Sequence, residues 1–488
     1  MPAPAITAPD LPDGLVAVVK RDCPTCELVA PVLAELAARL VGTDRTLTVF
    51  TQDDPEFPAE VVPVDDTDLD VSYRLAIETV PTLLQVDAGV ESRRIVGWSR
   101  DEWRTFTGCD DLGEDMPEYR PGCGSLTLDP GRADELAVRF HGSTLRSRRV
   151  TLASLEDEME ALFARGWTDG LPVVPPTPAR VLRMLEGTSR APDEEVAVVP
   201  PDLVACTVEK VAINAVLAGC RPEYLPVVLA AVEAACTDEF NMHGLLATTY
   251  FSGPVVMVNG PMTRAIGMNS GINALGQGNR ANATIGRALQ LTIRNVGGGV
   301  PGGIDRAALG NPGKYTFCFA EDEAGSPWES LSVERGFAAD ATTVTLFAGE
   351  GPRGVVDQLS RTPESLARSL ATGLISVAHP KLALVFDAVL VISPEHARVF
   401  QEAGWDKARL RHELDGLLAL DGTEIARGVG GIAEGMPDFL AGTTVPKFRD
   451  GGLLIVHAGG GAGLFSSIIG GWMSGSGGSQ PITWEVRP

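Results

Sequence analysis

Short apolar runs alternate with amphipathic helical repeats over the first hundred residues. The run LVAVVK at 15–20 predicts a strand, and from Glu27 apolar residues recur at helical spacing as far as Leu40. The patterns that follow predict a strand at 47–51, a helix at 68–77, a strand at 83–86, a turn at 87–89, a strand at 94–97 and a helix from 100. This alternation favours an α/β fold.

The alternation continues to the carboxyl terminus. Helices are predicted at 152–165, from 178, at 202–218 and 222–236, from 283, and at 363–374, 394–403 and 406–418. Strands are predicted at 254–258, 315–320, 342–347, 382–392 and 453–456. We therefore expect an N-terminal domain at 1–110, an acidic linker and lead-in at 111–150, and a large α/β domain at 151–488 that binds a ligand or carries catalysis and that divides, in one interpretation, into two subdomains.

Length and charge narrow the function. The chain has 488 residues, with 64 acidic against 40 basic residues and a net charge of −24, which disfavours nucleic acid and anionic membrane surfaces as partners. The first 14 residues lack the basic and apolar regions of a secretory signal, so we expect a cytoplasmic protein. The uncharged stretch at 451–484 is rich in Gly and Ser, which favours buried or ligand-facing backbone over a membrane span.

Two of the eight cysteines form a CxxC motif. Cys23 and Cys26 follow the first predicted strand and begin the first predicted helix. The unpaired N–H groups and dipole at a helix N-terminus lower the pKa of the first thiol, which we expect to be the more exposed one. The spacing lets the second thiol attack the resulting mixed disulfide. We predict a redox-active Cys23–Cys26 disulfide and no other certain cofactor.

The CPTC motif, with VPTLLQV about sixty residues later, resembles the thioredoxin superfamily over residues 10–108. The resemblance implies a thioredoxin-like fold with a cis Pro81 beside the dithiol, where Pro81 and Thr82 bind the substrate. The Pro-Thr spacer, Asp22 in place of the usual Trp, and Ala17 where a buried acid often stands depart from thioredoxin itself, as does an insertion at 53–64. These departures leave the partner and the redox potential open.

Other interpretations of the cysteines remain. The first domain could be a redox-inactive thioredoxin fold that serves as a docking module. A zinc site is disfavoured because no second CxxC or close His pair supplies further ligands, and we predict no metal site. Cys109 and Cys123 flank the linker at a spacing compatible with a disulfide, although a reducing cytosol favours two free thiols.

A Gly- and Asn-rich segment is the densest signal in the large region. Residues 259–294 carry four arginines in an otherwise acidic chain, and the loop leads into a predicted helix. Such a loop brings backbone N–H groups and guanidinium groups to a carboxylate or phosphate. A Gly-rich turn after the strand at 453–456 could face the same cavity. We expect a small, anionic substrate to contact Arg264, Asn269, Asn279, Arg280, Asn282, Gly459, Gly460 and Gly461; the alternative is a turn-rich interface of a homo-oligomer, the assembly that we expect for this chain.

The block GWTDGLPVVPP at 166–176 predicts a rigid loop before a helix capped by Thr177. Its Trp167, Thr168 and Asp169 either line a site or make a structural crossing. This block and SPEHARVFQEAGW at 393–405 resemble segments of an uncharacterised bacterial family to which no chemistry can be attached. His243 is expected to be a core or loop histidine.

Two functions follow as hypotheses. In the first, a thiol–disulfide oxidoreductase domain is fused to a small-molecule enzyme domain and reduces or oxidises one of its cysteines or intermediates; fusion raises their effective concentration. Among the cysteines of the large domain, Cys206 is the favoured electron partner, and a separate protein thiol or disulfide is the other. In the second, the large domain is a lyase, hydrolase or transferase and the thioredoxin fold recruits a partner. A pure scaffold is disfavoured by the Gly- and Asn-rich loop.

Overall fold

A computed structural model describes residues 11–141, 145–153, 156–475 and 477–487. The chain divides into two compact units, residues 1–144 and 145–488. Each unit combines helices with β-sheet, so the α/β class predicted from the sequence is confirmed.

The first unit is built on a five-stranded mixed sheet in the order β3-β2-β1-β5-β6. Strand β1 is parallel to β2 and antiparallel to β5, and its last five residues are buried. The elements in chain order are β1 (Gly14–Val19), α1 (Pro24–Leu40), β2 (Leu47–Thr51), β3 (Pro63–Asp65), α2 (Asp70–Arg74), β4 (Thr79–Val80), β5 (Thr82–Asp87), β6 (Val90–Val96), β7 (Trp98–Ser99), α3 (Arg100–Thr107), β8 (Tyr119–Arg120), β9 (Cys123–Gly124) and α4 (Pro130–His141).

The segment expected to be a linker is paired into the first unit. Strand β8 pairs with β7, and β9 pairs with β4, both antiparallel. Leu112, within the acidic stretch, is fully buried against the core of this unit. Acidic and Pro-rich composition predicted an exposed connection, but two-residue strands leave no periodicity that a sequence pattern can detect.

The second unit holds a seven-stranded mixed sheet, in the order β13-β12-β14-β19-β15-β18 with β20 on β14, and two small two-stranded sheets, β10-β11 and β16-β17. Its elements are α5 (Glu158–Ala164), α6 (Pro178–Leu185), β10 (Glu195–Val199), β11 (Val204–Thr207), α7 (Val208–Ala218), α8 (Leu225–Ala235), α9 (Met242–Ala247), β12 (Gly253–Asn259), α10 (Met262–Ala265), α11 (Arg280–Asn295), β13 (Cys318–Ala320), α12 (Leu331–Glu334), β14 (Thr343–Val356), α13 (Pro363–Ile375), β15 (Phe386–Ile392), α14 (Pro394–Glu402), α15 (Lys407–Leu417), β16 (Ala419–Asp421), β17 (Thr444–Pro446), β18 (Leu453–His457), β19 (Phe465–Met473) and β20 (Ile482–Glu485).

Helices cover separate parts of this sheet. Helices α7, α8 and α11 share a core with alternate residues of β12 and β14, whereas α13, α14 and α15 pack against β15, β18 and β19. The opposite faces of β12 and β15 meet in a third cluster that includes Met257, Phe319 and Val389. Apolar side chains therefore cover both faces of β12, which explains its near-continuous apolar sequence.

Several parts of this unit differ from the sequence-based expectation, including the unpredicted strands β10, β16 and β17. The helix predicted at 202–218 begins only at Val208, because β11 precedes it and Thr207 caps it. The stretch at 451–484 forms β18, β19 and β20, and β19 was not predicted since its glycines interrupt any alternation. Among the helices of the described residues, none has the length and apolar character needed to cross a membrane.

Candidate functional site

Cys23 occupies the N-cap position of α1. Strand β1 ends at Val19, and Cys23 has an extended backbone before Pro24 opens the helix. Its Sγ accepts a hydrogen bond from the backbone N–H of Cys26 at 3.2 Å. Proline suits the first helical position, and a side-chain acceptor at the N-cap satisfies a donor that has no intrahelical partner. The predicted placement of the CxxC motif at a helix start is therefore confirmed.

The two thiols of the motif have opposite acidities. The hydrogen bond from the Cys26 side chain is the largest cause that lowers the pKa of Cys23 to about 5; burial opposes it, and hydrogen bonds from Cys123 and from the backbone of residues 25 and 26 assist it. Burial raises the pKa of Cys26 far above the ordinary thiol value, and its bond to Cys23 adds to the rise. At neutral pH the pair therefore holds one thiolate, on Cys23.

The predicted proline motif lies beside this thiolate. The Val80–Pro81 peptide is cis, as expected, and Cys23 Sγ lies 3.6 Å from the carbonyl oxygen of Val80. Thr82, like Cys23, is only 1% exposed, and its hydroxyl donates to the Thr79 carbonyl at 2.6 Å. Its hydroxyl hydrogen is therefore engaged within the protein, and contact of Thr82 with a substrate stays a prediction.

Cys23 is the more exposed thiol of the motif, as predicted, but only by a small margin. Its side chain is 1% exposed, and Cys26 is completely buried. Residues 119–124, which we call the strap, lie against the motif and cover Cys23. The Sγ atoms of Cys23 and Cys123 are 2.8 Å apart, within hydrogen-bond distance. A third thiol therefore contacts the nucleophile predicted from the CxxC motif.

The strap is held in place at several points. The β4–β9 ladder places Cys123 opposite Val80, and Thr25 donates its hydroxyl hydrogen to the Pro121 carbonyl at 2.7 Å. Close backbone approach requires glycine at Gly122, where a Cβ atom would lie 2.8 Å from the Val80 oxygen. Just beyond the strap, Gln52 donates to the Ser125 hydroxyl at 2.8 Å. The β4–β9 backbone pairing, together with these side-chain hydrogen bonds, thus determines the position of Cys123.

Cys123 was singled out from the sequence only as a possible linker partner of Cys109. All eight cysteines are free thiols in the structure, so these two are not bonded to each other. Cys109 lies after α3, with its Sγ 4.0 Å from the Thr107 carbonyl oxygen. No sequence signal pointed to contact with the CxxC motif, because one hundred residues separate Cys123 from Cys23.

The asparagines predicted to bind an anion have internal partners. Asn279 is the N-cap of α11, where its side chain accepts from the Asn282 N–H at 3.1 Å. The buried Asn282 amide accepts from the Asn269 N–H at 3.0 Å and donates to the carbonyl groups of Asn269 and Ala274. These bonds account for the three asparagines as supports of the loop that leads into α11.

The Gly- and Asn-rich loop and the Gly-rich turn are adjacent, as the sequence analysis proposed. Gly459 donates its N–H to the Ser270 carbonyl at 2.9 Å, and a Cβ atom on Gly460 would lie 2.8 Å from the Ile272 side chain. Gly461 is exposed. Two cavities among the described residues, one beside 412–417 and one lined by 347–348, 387, 472 and 479–481, are formed by other segments.

A buried polar cluster adjoins this turn. Glu321 follows β13, is 3% exposed, and accepts hydrogen bonds from the Asn259 side chain at 2.7 Å and from the His457 N–H at 3.3 Å. Burial raises the pKa of Glu321. Asn259 also donates to Glu323, and the His457 ring lies against Asp322. Sequence analysis missed the cluster because its members come from three strand ends.

The cluster changes the electrostatics expected near the turn. Three consecutive acidic residues, at 321–323, lie beside the end of β18, two residues before Gly459. The carboxylates of Asp322 and Glu323 repel an anion, so the Gly-rich turn is a poorer anion site than its composition indicated. Two buried atoms of the cluster, Asn259 Oδ1 and His457 Nε2, have no hydrogen-bond partner among the described residues.

The arginines have different roles. Arg264 is exposed, and Arg280 donates Nε to the Gly219 carbonyl at 2.9 Å while its side chain remains exposed. Arg287 makes two 2.7 Å bonds to the Asp169 carboxylate and a third, at 2.9 Å, to the Pro172 carbonyl. The loop at 166–176 is therefore pinned to α11, which favours the structural crossing over a site for Asp169.

Cys206 lacks the features of a reactive thiol. It is fully buried in β11, not at a helix start, and burial raises its pKa to about 12. Burial likewise raises the pKa of Cys220 and Cys236 to about 12 and raises that of Cys318. Each is protonated at neutral pH and behaves as a small apolar side chain, so the geometry gives Cys206 no advantage as an electron partner.

The described residues contain no group of three or more His, Cys, Asp or Glu side chains arranged to hold a metal ion. No model of a known protein family matches this chain, and no curated protein matches it.

Proposed function

We propose that this chain is a thiol–disulfide oxidoreductase, that its N-terminal unit is a member of the thioredoxin superfamily, and that Cys23 is the nucleophile. The observation that carries the proposal is the N-cap geometry of Cys23, whose pKa of about 5 makes it a thiolate at neutral pH. The cis Pro81 beside this thiolate and the order of elements around it support the family assignment.

The reaction follows from the asymmetry of the pair. The Cys23 thiolate attacks one sulfur of a substrate disulfide, forms a mixed disulfide and releases the other sulfur as a thiolate, which takes up a proton. Cys26 then loses its proton and attacks Cys23, which forms the Cys23–Cys26 disulfide and releases the substrate as a dithiol. Because burial raises the pKa of Cys26, loss of its proton is the demanding part of this second step.

A docking role for the first unit is the second candidate, and one observation favours it. Cys23 is almost fully covered by the strap, so a large disulfide substrate reaches it only when the strap moves. In that case the second unit catalyses a non-redox reaction and the first unit recruits a partner without exchanging disulfides.

Reduction of insulin and of a small aromatic disulfide distinguishes the two candidates. The full chain is compared with Cys23→Ser and with Cys109→Ser, a matched control outside the motif. The oxidoreductase proposal expects Cys23→Ser to abolish turnover of both substrates and Cys109→Ser to retain it. Equal rates for wild type and Cys23→Ser on both substrates would favour the docking role.

For the second unit we propose that a small, anionic molecule binds near the start of α11. The exposed Arg280 at the first position of this 16-residue helix and the contact between the loop and the Gly459 turn support the site, while the carboxylates of Asp322 and Glu323 favour the Arg280 side over the turn. Inorganic phosphate and citrate serve as probes in thermal shift. The anion-induced rise in Tm should be lost in Arg280→Ala. It should be retained in Arg368→Ala, a control at an exposed arginine of α13. Equal rises in Tm for the two variants would refute the site.

A further inference from the structure

We propose that Cys123 is a second disulfide partner of Cys23, so that the nucleophile exchanges its disulfide between Cys26 on α1 and Cys123 on the strap. This inference rests on the proposed oxidoreductase function and adds a residue, outside the CxxC motif, to its machinery. We call the new bond the strap disulfide.

The distance between the two sulfur atoms supports a bond. Cys23 Sγ and Cys123 Sγ are 2.8 Å apart, and an S–S bond measures about 2.05 Å, so an approach of less than about 1 Å forms it. Both side chains pack against the same core, with Cys23 almost fully buried and Cys123 half-buried.

Hydrogen bonds to the backbone of the strap hold Cys123 beside Cys23. The ladder between β4 and β9 aligns Cys123 with Val80, the residue before the cis Pro81, and the Thr25 hydroxyl binds the strap on the α1 side. The Trp98 indole N–H binds the Pro117 carbonyl at 2.7 Å, just before the strap begins. These contacts on both sides of the strap hold the Cys123 thiol against Cys23.

The chemical environment suits exchange. Cys26 is fully buried and burial raises its pKa, whereas Cys123 is partly exposed. Burial and the bond that Cys123 donates to the Cys23 thiolate also raise the pKa of Cys123, while the nearby charge of Lys20 opposes this rise. Once Cys23 is in a disulfide it is no longer a thiolate that accepts this bond, so Cys123 loses one cause of its high pKa when it has to attack.

The exchange conserves atoms and electrons. When Cys23 and Cys26 are joined, the Cys123 thiolate attacks Cys23 Sγ, the Cys23–Cys26 bond breaks, and the Cys26 thiolate that leaves takes up the proton that Cys123 lost. No external oxidant is needed. When Cys23 is instead bonded to a substrate sulfur, the same attack releases the substrate thiolate. In both cases the product is a strap disulfide that fixes residues 119–124 over the nucleophile.

The test oxidises full-length Cys26→Ser with glutathione disulfide, which accepts two electrons and leaves as two glutathione thiols. Trypsin with Glu-C then separates residues 22–27, which carry only Cys23 in this variant, from residues 105–114 with Cys109 and residues 119–132 with Cys123. We expect loss of two titratable thiols per chain and a cross-link between 22–27 and 119–132. Glutathione attached to Cys23, with Cys123 still free, would overturn the inference.

Three further chains complete the design. The Cys26→Ser, Cys109→Ser variant should form the same cross-link, since Cys109 takes no part in it. Wild type should yield the cross-link as a fraction of its oxidised protein, which tests the inference without any change to the motif. Its absence from oxidised wild type would also overturn it. Cys123→Ser separates the two proposals: a Cys23–Cys26 disulfide there supports the proposed function, even when the strap disulfide fails to form in the other chains.

Discussion

Replacing Cys123 with alanine should raise the pKa of Cys23. The Cys123 side chain lies 2.8 Å from Cys23 Sγ, and its hydrogen bond is one of the causes that lower the pKa of the nucleophile to about 5. Alanine removes the donor and leaves the N-cap bonds from residue 26 in place. The Cys23 thiolate therefore loses one of its stabilising partners.

The size of the effect follows from the strength of that bond. Hydrogen bonds to charged groups contribute about 1.5 to 3 kcal/mol, and a thiol is a weak donor, so the lower end applies. Since about 1.4 kcal/mol corresponds to one pKa unit, the pKa of Cys23 should rise from about 5 to about 6. Water admitted by the smaller side chain opposes the rise and keeps it near this lower end.

The assay follows the rate at which iodoacetamide alkylates Cys23, by peptide mass spectrometry across a pH series. Near pH ~5.5 the Cys123→Ala rate should be about three-fold below that of wild type, because the thiolate fraction falls from about three quarters to about one quarter. Cys109→Ala is the matched control and should follow the wild-type curve. An unchanged midpoint in Cys123→Ala, or an equal rise in Cys109→Ala, would refute the proposed electrostatic contact.

Three further outcomes are expected. Gly122→Ala should slow formation of the strap disulfide, because the added Cβ would lie 2.8 Å from a backbone oxygen of β4. Gly124→Ala should leave the rate unchanged, because a Cβ there meets no atom within 4 Å. Equal rates for the two variants would contradict the role of Gly122. A double-mutant cycle on Asp169 and Arg287, both less than one sixth exposed, should give a coupling of about 1 to 3 kcal/mol in urea unfolding, and a coupling near zero would contradict a structural crossing. Asn282→Ala should lower the free energy of unfolding by about 1 to 3 kcal/mol, since it leaves buried backbone groups without partners; an unchanged Tm would oppose this role.

Local patterns predicted the α/β class and many of its elements, but not the order of the strands in the sheets. The strand at 47–51 coincides with β2, and the helices predicted at 363–374 and 406–418 differ from α13 and α15 by one residue at their ends. Such elements are long and carry a strong apolar period. The very short strands β4, β8 and β9 escaped prediction because two residues display no period, and their pairing partners are distant in sequence.

The candidate site was predictable where its residues share a motif or where the family resemblance relates two motifs, as for Pro81 and the dithiol. Cys23 and Cys26 share one motif whose spacing specifies a helix start, and the structure places them there. Cys123 reaches Cys23 through the β4–β9 ladder, and Glu321 reaches His457 through strand ends far apart in the chain. Composition alone also gave Asn269 and Asn282 a binding role, although the side-chain amide of Asn269 bonds to Ile272 and Gly271 and that of Asn282 bonds to Asn269 and Ala274 within the same loop.

A redox titration of the full chain tests the central claim, that Cys23 is the nucleophile of a redox-active disulfide, most directly. The wild-type protein is equilibrated across a series of reduced and oxidised dithiothreitol, trapped with a mass-labelled alkylating reagent and counted for free thiols, with Cys23→Ser treated in parallel. The account predicts one two-electron transition in which wild type goes from eight free thiols to six, with Cys23 in the disulfide formed, and no such transition in Cys23→Ser. Eight free thiols in wild type at every potential, or the same transition in Cys23→Ser, would contradict it.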